Sequence, residues 1–256
     1  MNIIGIIPAR LASSRLPNKP MAKILGMPMI GHVYFRSKMS EILSEVYVAT
    51  CDLEIKNYIE SIGGKAIMTA DTHERASDRT AEALLEIEKL TGEKVDIIVM
   101  IQGDEPMVTP EMINAAVEPL FSDQDLNITN LMAVLKTQEE HEDPAEVKVV
   151  VDRNNNALYF SREPIPSRKK GAENVPMLKQ VCIIPFRRDF LLEYNDMEQT
   201  PLEIIESVDM NRLLENGIKI KMVMRNEETY SVDTTSDLDN VNRKMLNDPL
   251  LEVYLK

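Results

Sequence analysis

Short runs rich in isoleucine and valine alternate along the first half of the chain with segments of helical period, and this alternation restricts the fold more than any other feature. "NIIGII", "SEVYVAT", "GGKAIM" and "VDIIVMIQGDEP" are the apolar runs. Strands buried on both faces read this way. Between them lie "PMIGHVYFRSKMSEI", "LEIKNYIESI" and "DRTAEALLEIEKL". Strand, helix, strand, helix predicts an α/β fold with a doubly wound, mostly parallel sheet. Pro28 suits the first turn of its helix, where no amide donor is required.

The regularity changes after about Asn127. "NITNLMAVL", "AEVKVVVDRNNNALYFS" and "LKQVCIIPF" read as strands, the second folded back on itself at "RNNN". Helical patterns follow around "RRDFLLEY" and "LEIIESVDMNRLLENG", with Gly217 as a stop. "IKIKMVM" alternates as a half-exposed strand, and "TSDLDNVNRKML" as a helix capped at Thr235 or Ser236. The polar stretch "SRKKGAENVP" around Gly171 predicts a mobile loop. The 256 residues are read as one domain, with an alternating α/β half over about 1–125 and a smaller mixed α+β half over about 126–256.

Several classes are disfavoured. A net charge of −13 argues against nucleic-acid binding, which needs a basic surface. No apolar stretch is long enough to span a membrane, and the N-terminus reads as a strand rather than a signal peptide. Cys51 and Cys182 are far apart, which predicts free thiols in a reducing cytoplasm. His32, His73 and His141 are scattered, so zinc is not expected.

Against that acidic background, "PARLASSRLPNKP" gathers Arg10, Arg15 and Lys19 where the first strand ends. Ligands of open parallel sheets bind beyond the carboxyl ends of strands. Ala9, Ala12, Ser13 and Ser14 let a ligand approach the backbone, and the cations suit a polyphosphate. A solvated basic loop would have the same composition. Neither GxxxxGK[ST] nor GxGxxG is present, so this is no P-loop or dinucleotide fingerprint. Asp104 ends the strand "VMIQGDEP" and Asp233 lies in "YSVDTTSDL". A hard cation takes one or two carboxylates plus substrate phosphates, although either acid serves equally as a turn or cap residue.

Together these segments resemble the 3-deoxy-manno-octulosonate cytidylyltransferases, or CMP-Kdo synthetases. The likeness runs through "IPARLASSRLPNKPMAKILGMPMIGHVY", "VYVATCD", "SDRTAEA", "IQGDEPMV", "EVKVVVDRNNNALYFSREPIP", "TPLEIIESVDMNRLLENGIKI" and "VDTTSDL". It implies a nucleotidyltransferase-type fold, CTP and Mg²⁺, a homodimer, and a place in lipopolysaccharide biosynthesis. Position by position it implies that Arg10, Ser14, Arg15 and Lys19 hold the triphosphate and that Ser77, Asp78, Arg79 and Gln102 lie near the nucleotide. Asp104 and Asp233 would be the metal acids, and Lys19, Arg15 and Asp104 the catalytic groups. Tyr159, Ser161, Arg162, Gln180 and Glu206 are acceptor-side candidates.

The chain departs from the family in three places. It has "HERASDR" for a usual "HxSGTDR", "KQVCIIPFR" for "KHxGIYAYR" and "ESVDMNR" for "ExLEQLR". Gln180, Ile183, Ile184, Phe186 and Met210 thus stand where a histidine, tyrosines and a glutamine are usual. Losing polar partners penalises a polyhydroxylated acid. The departures therefore predict a different small acid as acceptor, such as a modified ulosonate or a phosphonate. A sugar-1-phosphate nucleotidyltransferase is a further alternative, disfavoured because a "GxGTRL"-type opening is missing.

Overall fold

The computed structural model describes residues 1–13, 15–170 and 175–255, and the chain divides into two compact units, Met1–Asn114 with Thr229–Lys256 and Ala115–Glu228. The C-terminal segment thus belongs with the N-terminal unit, whereas the sequence reading had grouped it with 126–228.

In the first unit the chain runs through β1 (Ile3–Ala9), a 3₁₀ turn (Lys19–Met21), a small hairpin of β2 (Lys23–Ile24) and β3 (Met27–Pro28), and α1 (Met29–Lys38). It continues through β4 (Glu45–Thr50), α2 (Leu53–Ser61), β5 (Lys65–Met68), α3 (Ala76–Thr91) and β6 (Ile97–Ile101). These four longer strands lie in the order β6-β1-β4-β5, all parallel. The chain builds outward from β1 to β5 and then crosses back to lay β6 on the other side of β1. That reversal makes a crevice at the carboxyl ends of β1 and β6, where ligands bind in such sheets. The predicted runs match, because every residue of β1 and of β6 is buried. Pro28 immediately precedes its helix and does not enter the first turn. The hairpin at "KILGMP" escaped the sequence reading; its turn uses left-handed Leu25 and Gly26.

The second unit takes over within α4 (Pro110–Ser122). It contains β7 (Thr129–Val134), α5 (Gln138–Glu142), β8 (Lys148–Val151), β9 (Ala157–Ser161), β10 (Leu178–Val181) and β11 (Ile183–Arg187). Three helices, α6 (Arg188–Asp196), α7 (Pro201–Glu206) and α8 (Met210–Glu215), precede β12 (Lys221–Arg225). Strand order in its sheet is β12-β7-β10-β8-β9, antiparallel except for β12 with β7. The turn at "RNNN" forms as predicted. The Asp152 carboxylate accepts the amides of Asn154 and Asn156, both at 2.8 Å, and Asn155 is left-handed.

Two patterns read as continuous are broken. "LKQVCIIPF" is two strands interrupted at Cys182. "LEIIESVDMNRLLENG" is α7 and α8, separated where Ser207 adopts φ 52° and ends the first helix. Gly217, at φ 73°, follows α8 as expected. In β11, Ile183, Ile184 and Phe186 are buried, as is Met210 in α8. Their exchange for the family's polar residues alters the interior and does not by itself exclude a polyhydroxylated acceptor. The predicted mobile loop falls partly on residues 171–174, which lie outside the described residues.

The chain returns to the first unit with α9 (Thr235–Met245) and α10 (Leu251–Tyr254). The cap of α9 is Thr234, one or two residues earlier than predicted; its hydroxyl accepts the amide of Asp237. Ile24, Met29, Val232, Val241, Met245 and Leu251 form one buried cluster between this segment and the β2–β3 hairpin. Each such side chain contributes about 1.5–3 kcal/mol when fully buried.

Candidate active site

A cavity of about 340 Å³ opens at the carboxyl ends of β1 and β6. Five cationic side chains and three acidic ones line it, so a chain of strong negative charge carries a locally positive pocket.

The loop leaving β1 is pinned at its root. Asp52, which follows β4, accepts the Leu11 amide on its carboxylate at 2.8 Å. This turns Arg10 toward the neighbouring loop, where its guanidinium donates to the His73 carbonyl at 3.2 Å. His73 is held in turn by the Glu82 carboxylate from α3, which also accepts the Ala70 amide at 2.9 Å. Burial alone would raise the Glu82 pKa; the Ala70 amide and His73 outweigh it and hold it below the usual value. Asp52, His73 and Glu82 were not singled out as site residues. The strand-end rule that selected Asp104 applies equally to Asp52.

Gly103 lets β6 end against β1. A Cβ there would lie 3.2 Å from both the Pro8 carbonyl oxygen and Ile30 Cδ1. The next residue, Asp104, meets the first loop through Lys19. Lys19 Nζ donates to Asp104 Oδ2 at 2.6 Å and to Asp233 Oδ1 at 2.9 Å. Arg15 pairs with the same Asp233 oxygen at 3.0 Å from a more exposed position. The Val232 amide donates to the Asp104 carbonyl at 3.0 Å, joining the two acidic segments through the backbone. Burial alone would lower the Lys19 pKa, but Asp104 and then Asp233 outweigh it and the net displacement is upward.

Two buried polar atoms on the cavity wall have no hydrogen-bond partner among the described residues: Asp104 Oδ1 and one terminal nitrogen of Arg79. Arg79 spends its other terminal nitrogen on Thr69 Oγ1 and the Ala70 carbonyl. Buried groups of this kind are nearly always satisfied, and here an acceptor and a donor belong to two residues that line the same cavity. Gln102 is also part of the wall. Ser77 is buried in α3 and Asp78 closes that helix by accepting the Arg75 amide; neither reaches the cavity wall. Ser14 lies outside the described residues.

In the second unit, Tyr159, Ser161 and Arg162 converge on Glu206. The Tyr159 and Ser161 hydroxyls each donate to Oε1 at 2.8 Å, and the Arg162 amide donates to Oε2 at 2.8 Å. Burial alone would raise the Glu206 pKa; the Arg162 amide and the two hydroxyls reverse that, and the net displacement is downward. Burial and then the Glu206 carboxylate push Tyr159 up to about 12. Gln180 is not part of this group. It donates to Asn130 Oδ1 at 2.7 Å within the interior.

A parallel sheet with a cationic cavity and paired aspartates at its strand reversal defines an α/β nucleotidyltransferase. The family model described as cytidylyltransferase matches residues 4–220. A 3-deoxy-manno-octulosonate cytidylyltransferase of Geobacter metallireducens is 41% identical, covering 96% of this chain and 98% of its own. The Fusobacterium nucleatum protein of the same name is 43% identical over 94% and 96%. A solved CMP:2-keto-3-deoxy-manno-octonic acid synthetase, complexed with CTP, superposes with a TM-score of 0.86 at 37% identity, covering 96% of this chain and 98% of that one. The chain belongs to the cytidylyltransferase family and is a CTP-dependent nucleotidyltransferase.

Proposed function

We propose that this chain transfers CMP from CTP to a 3-deoxy-manno-octulosonate-type sugar acid and releases pyrophosphate. The observation that carries the reading is Lys19 bridging Asp104 and Asp233 inside a cationic cavity. The relatives supply the acceptor class through the name they share.

Arg10, Arg15 and Lys19 bind the triphosphate by charge-assisted hydrogen bonds. To do so Arg15 and Lys19 turn from the aspartates toward phosphate oxygens. The acceptor hydroxyl gives up its proton to water and attacks the α-phosphorus in line, the bond to the bridging oxygen breaks, and pyrophosphate departs with its charge balanced by Lys19 and Arg15. Catalysis of this kind is mostly positioning and charge stabilisation. Asp104 and Asp233 fit a magnesium ion: both carboxylates meet at Lys19 Nζ, and Asp104 keeps one buried oxygen unpartnered. Such a pair suits a cation that completes its shell with phosphate oxygens and water. Mg²⁺ bound there would neutralise phosphate charge and acidify the attacking hydroxyl. The Glu206 group, with Tyr159, Ser161 and Arg162, is proposed as the acceptor side. A cytoplasmic homodimer is proposed from the free thiols and from the family. No described helix is long and apolar enough to cross a membrane.

The test is pyrophosphate release by the full chain with Mg²⁺, the sugar acid and either CTP, UTP or GTP. Turnover with CTP alone among the three supports the reading. Absence of turnover with this acid, together with turnover of a phosphonate or an aminated ulosonate, would overturn the acceptor assignment.

A further inference from the structure

His32 and Arg36 are fully buried in α1, and the chemistry above uses neither. Both face the C-terminal segment. His32 Nε2 lies 2.8 Å from the Ile24 carbonyl, which can only accept, so Nε2 carries the proton. Nδ1 then accepts the Tyr254 hydroxyl at 2.8 Å. That hydroxyl also accepts from Arg36 Nε at 3.1 Å. Arg36 completes its fork by donating to the Val108 carbonyl at 3.2 Å and to the Asp248 carboxylate. The Tyr254 ring stacks on Phe35 with centroids 5.6 Å apart.

This clasp closes the far end of α9. The near end carries Asp233, just ahead of the Thr234 cap, and the Val232 amide bonds the Asp104 carbonyl. Midway, Asn242 Oδ1 accepts the Leu25 amide from the hairpin that follows Lys19, at 2.9 Å. The helix is held by one narrow apolar stripe. Within its 11 residues only Val241 and Met245 are buried, and isolated helices of that length are marginal in water. The chain from Asp233 through α9 and α10 therefore touches the Lys19 hairpin at Asn242 and the buried pair on α1 at Asp248 and Tyr254.

We propose that Asp248 and Tyr254, seated on Arg36 and His32, are positioning residues that set Asp233 beside Asp104 and Lys19. The metal role of Asp233 rests on the function proposed above; the geometric claim does not. Residues that orient a metal ligand without touching the ion typically alter metal affinity by roughly ten- to a hundredfold when removed.

The experiment compares full-length Tyr254→Phe, Asp248→Asn and Asp248→Glu with the wild type. Tyr254→Phe retains the ring that stacks on Phe35 and removes only the hydroxyl shared by His32 and Arg36. Amide hydrogen exchange is read without nucleotide or metal. We expect the Val232 and Leu25 amides to exchange about tenfold faster in Tyr254→Phe and Asp248→Asn, with β4 and β5 unchanged. The Mg²⁺ concentration for half-maximal pyrophosphate release should rise roughly tenfold or more while kcat at saturating Mg²⁺ stays within about twofold. Asp248→Glu, which retains the carboxylate, should recover most of both effects. Unchanged exchange at Val232 and Leu25, or an equal acceleration throughout the first unit, would overturn the proposal. A wild type without CTP-dependent turnover would instead remove the function reading and leave the exchange result to judge the clasp.

Discussion

Replacing Lys19 by methionine tests the centre of the site. Its ammonium nitrogen touches Asp104 Oδ2 at 2.6 Å and Asp233 Oδ1 at 2.9 Å. Those two oxygens are therefore no farther apart than about 5.5 Å, the sum of the two contacts. With the cation removed, two carboxylates face each other at that distance. Two unit charges about 5.5 Å apart repel by about 3 kcal/mol at an effective dielectric of about 20. All three side chains are about one-fifth exposed or less, so solvent screens this only in part. Arg15 remains on Asp233 but is 54% exposed and compensates weakly. A loss of about 2–3 kcal/mol lowers the melting temperature of a chain this size by roughly 5–10 °C. The assay is thermal unfolding at neutral pH in chelator and then in Mg²⁺. The raised Lys19 pKa means that the ion pairs contribute fully below 10.5 and weaken only as pH rises through the folded value above it. Because Lys19 competes with a metal for the same oxygens, Mg²⁺ should stabilise Lys19→Met more than the wild type. Pyrophosphate release should fall about a hundred- to a thousandfold, as for loss of one charge-stabilising donor. Equal melting in chelator, or equal gain from Mg²⁺, would refute the reasoning.

Asp104→Asn removes the carboxylate whose second oxygen is unpartnered; pyrophosphate release should drop by at least about a hundredfold. Glu206→Gln takes away the charge that helps hold Tyr159 at about 12, so tyrosinate absorbance should titrate at lower pH, and the KM for the acceptor should rise while that for CTP does not. In the wild type the stabilisation from Glu206, whose pKa is lowered, is complete above 4.5 and disappears as pH falls through the lower folded value. Burial holds His32 below 6.5 beside Tyr254, Arg36 and Asp248. Its contribution is complete above 6.5 and is lost as pH falls through the folded value, so unfolding temperature should decline on acidification from about pH 7 and His32→Gln should remove that part of the slope.

Legibility varied with how local each cause is. β1 and β6 are continuous apolar runs and read directly. The turn at Asp152–Asn156 read directly too, because its carboxylate bonds amides two and four residues away. The break at Ser207 had no signal, since a serine rarely adopts the left-handed conformation it holds there. The cap at Thr234 does have a local cause, since Asp237 three residues on completes a reciprocal capping box with it, whereas Thr235 would have Leu238 at that position. In the site, Arg15, Lys19, Asp104 and Asp233 were all named from the sequence and all meet. Ser77 and Asp78 were named with them, but Ser77 is buried, Asp78 accepts the Arg75 amide at the start of α3, and neither is among the residues lining the cavity.

What the sequence determined by itself was inventory and rhythm: which runs are buried strands, which loop collects cations, and which acids end at strand tips. Side-chain chemistry and short-range period carry that information. The tertiary structure decided which groups touch. Asp233 comes beside Asp104 because the chain returns to the first unit, where the Val232 amide bonds the Asp104 carbonyl, and Asp52 fixes the first loop because β4 lies next to β1. Contacts between residues far apart in the chain depend on how whole elements pack, and no local pattern encodes that.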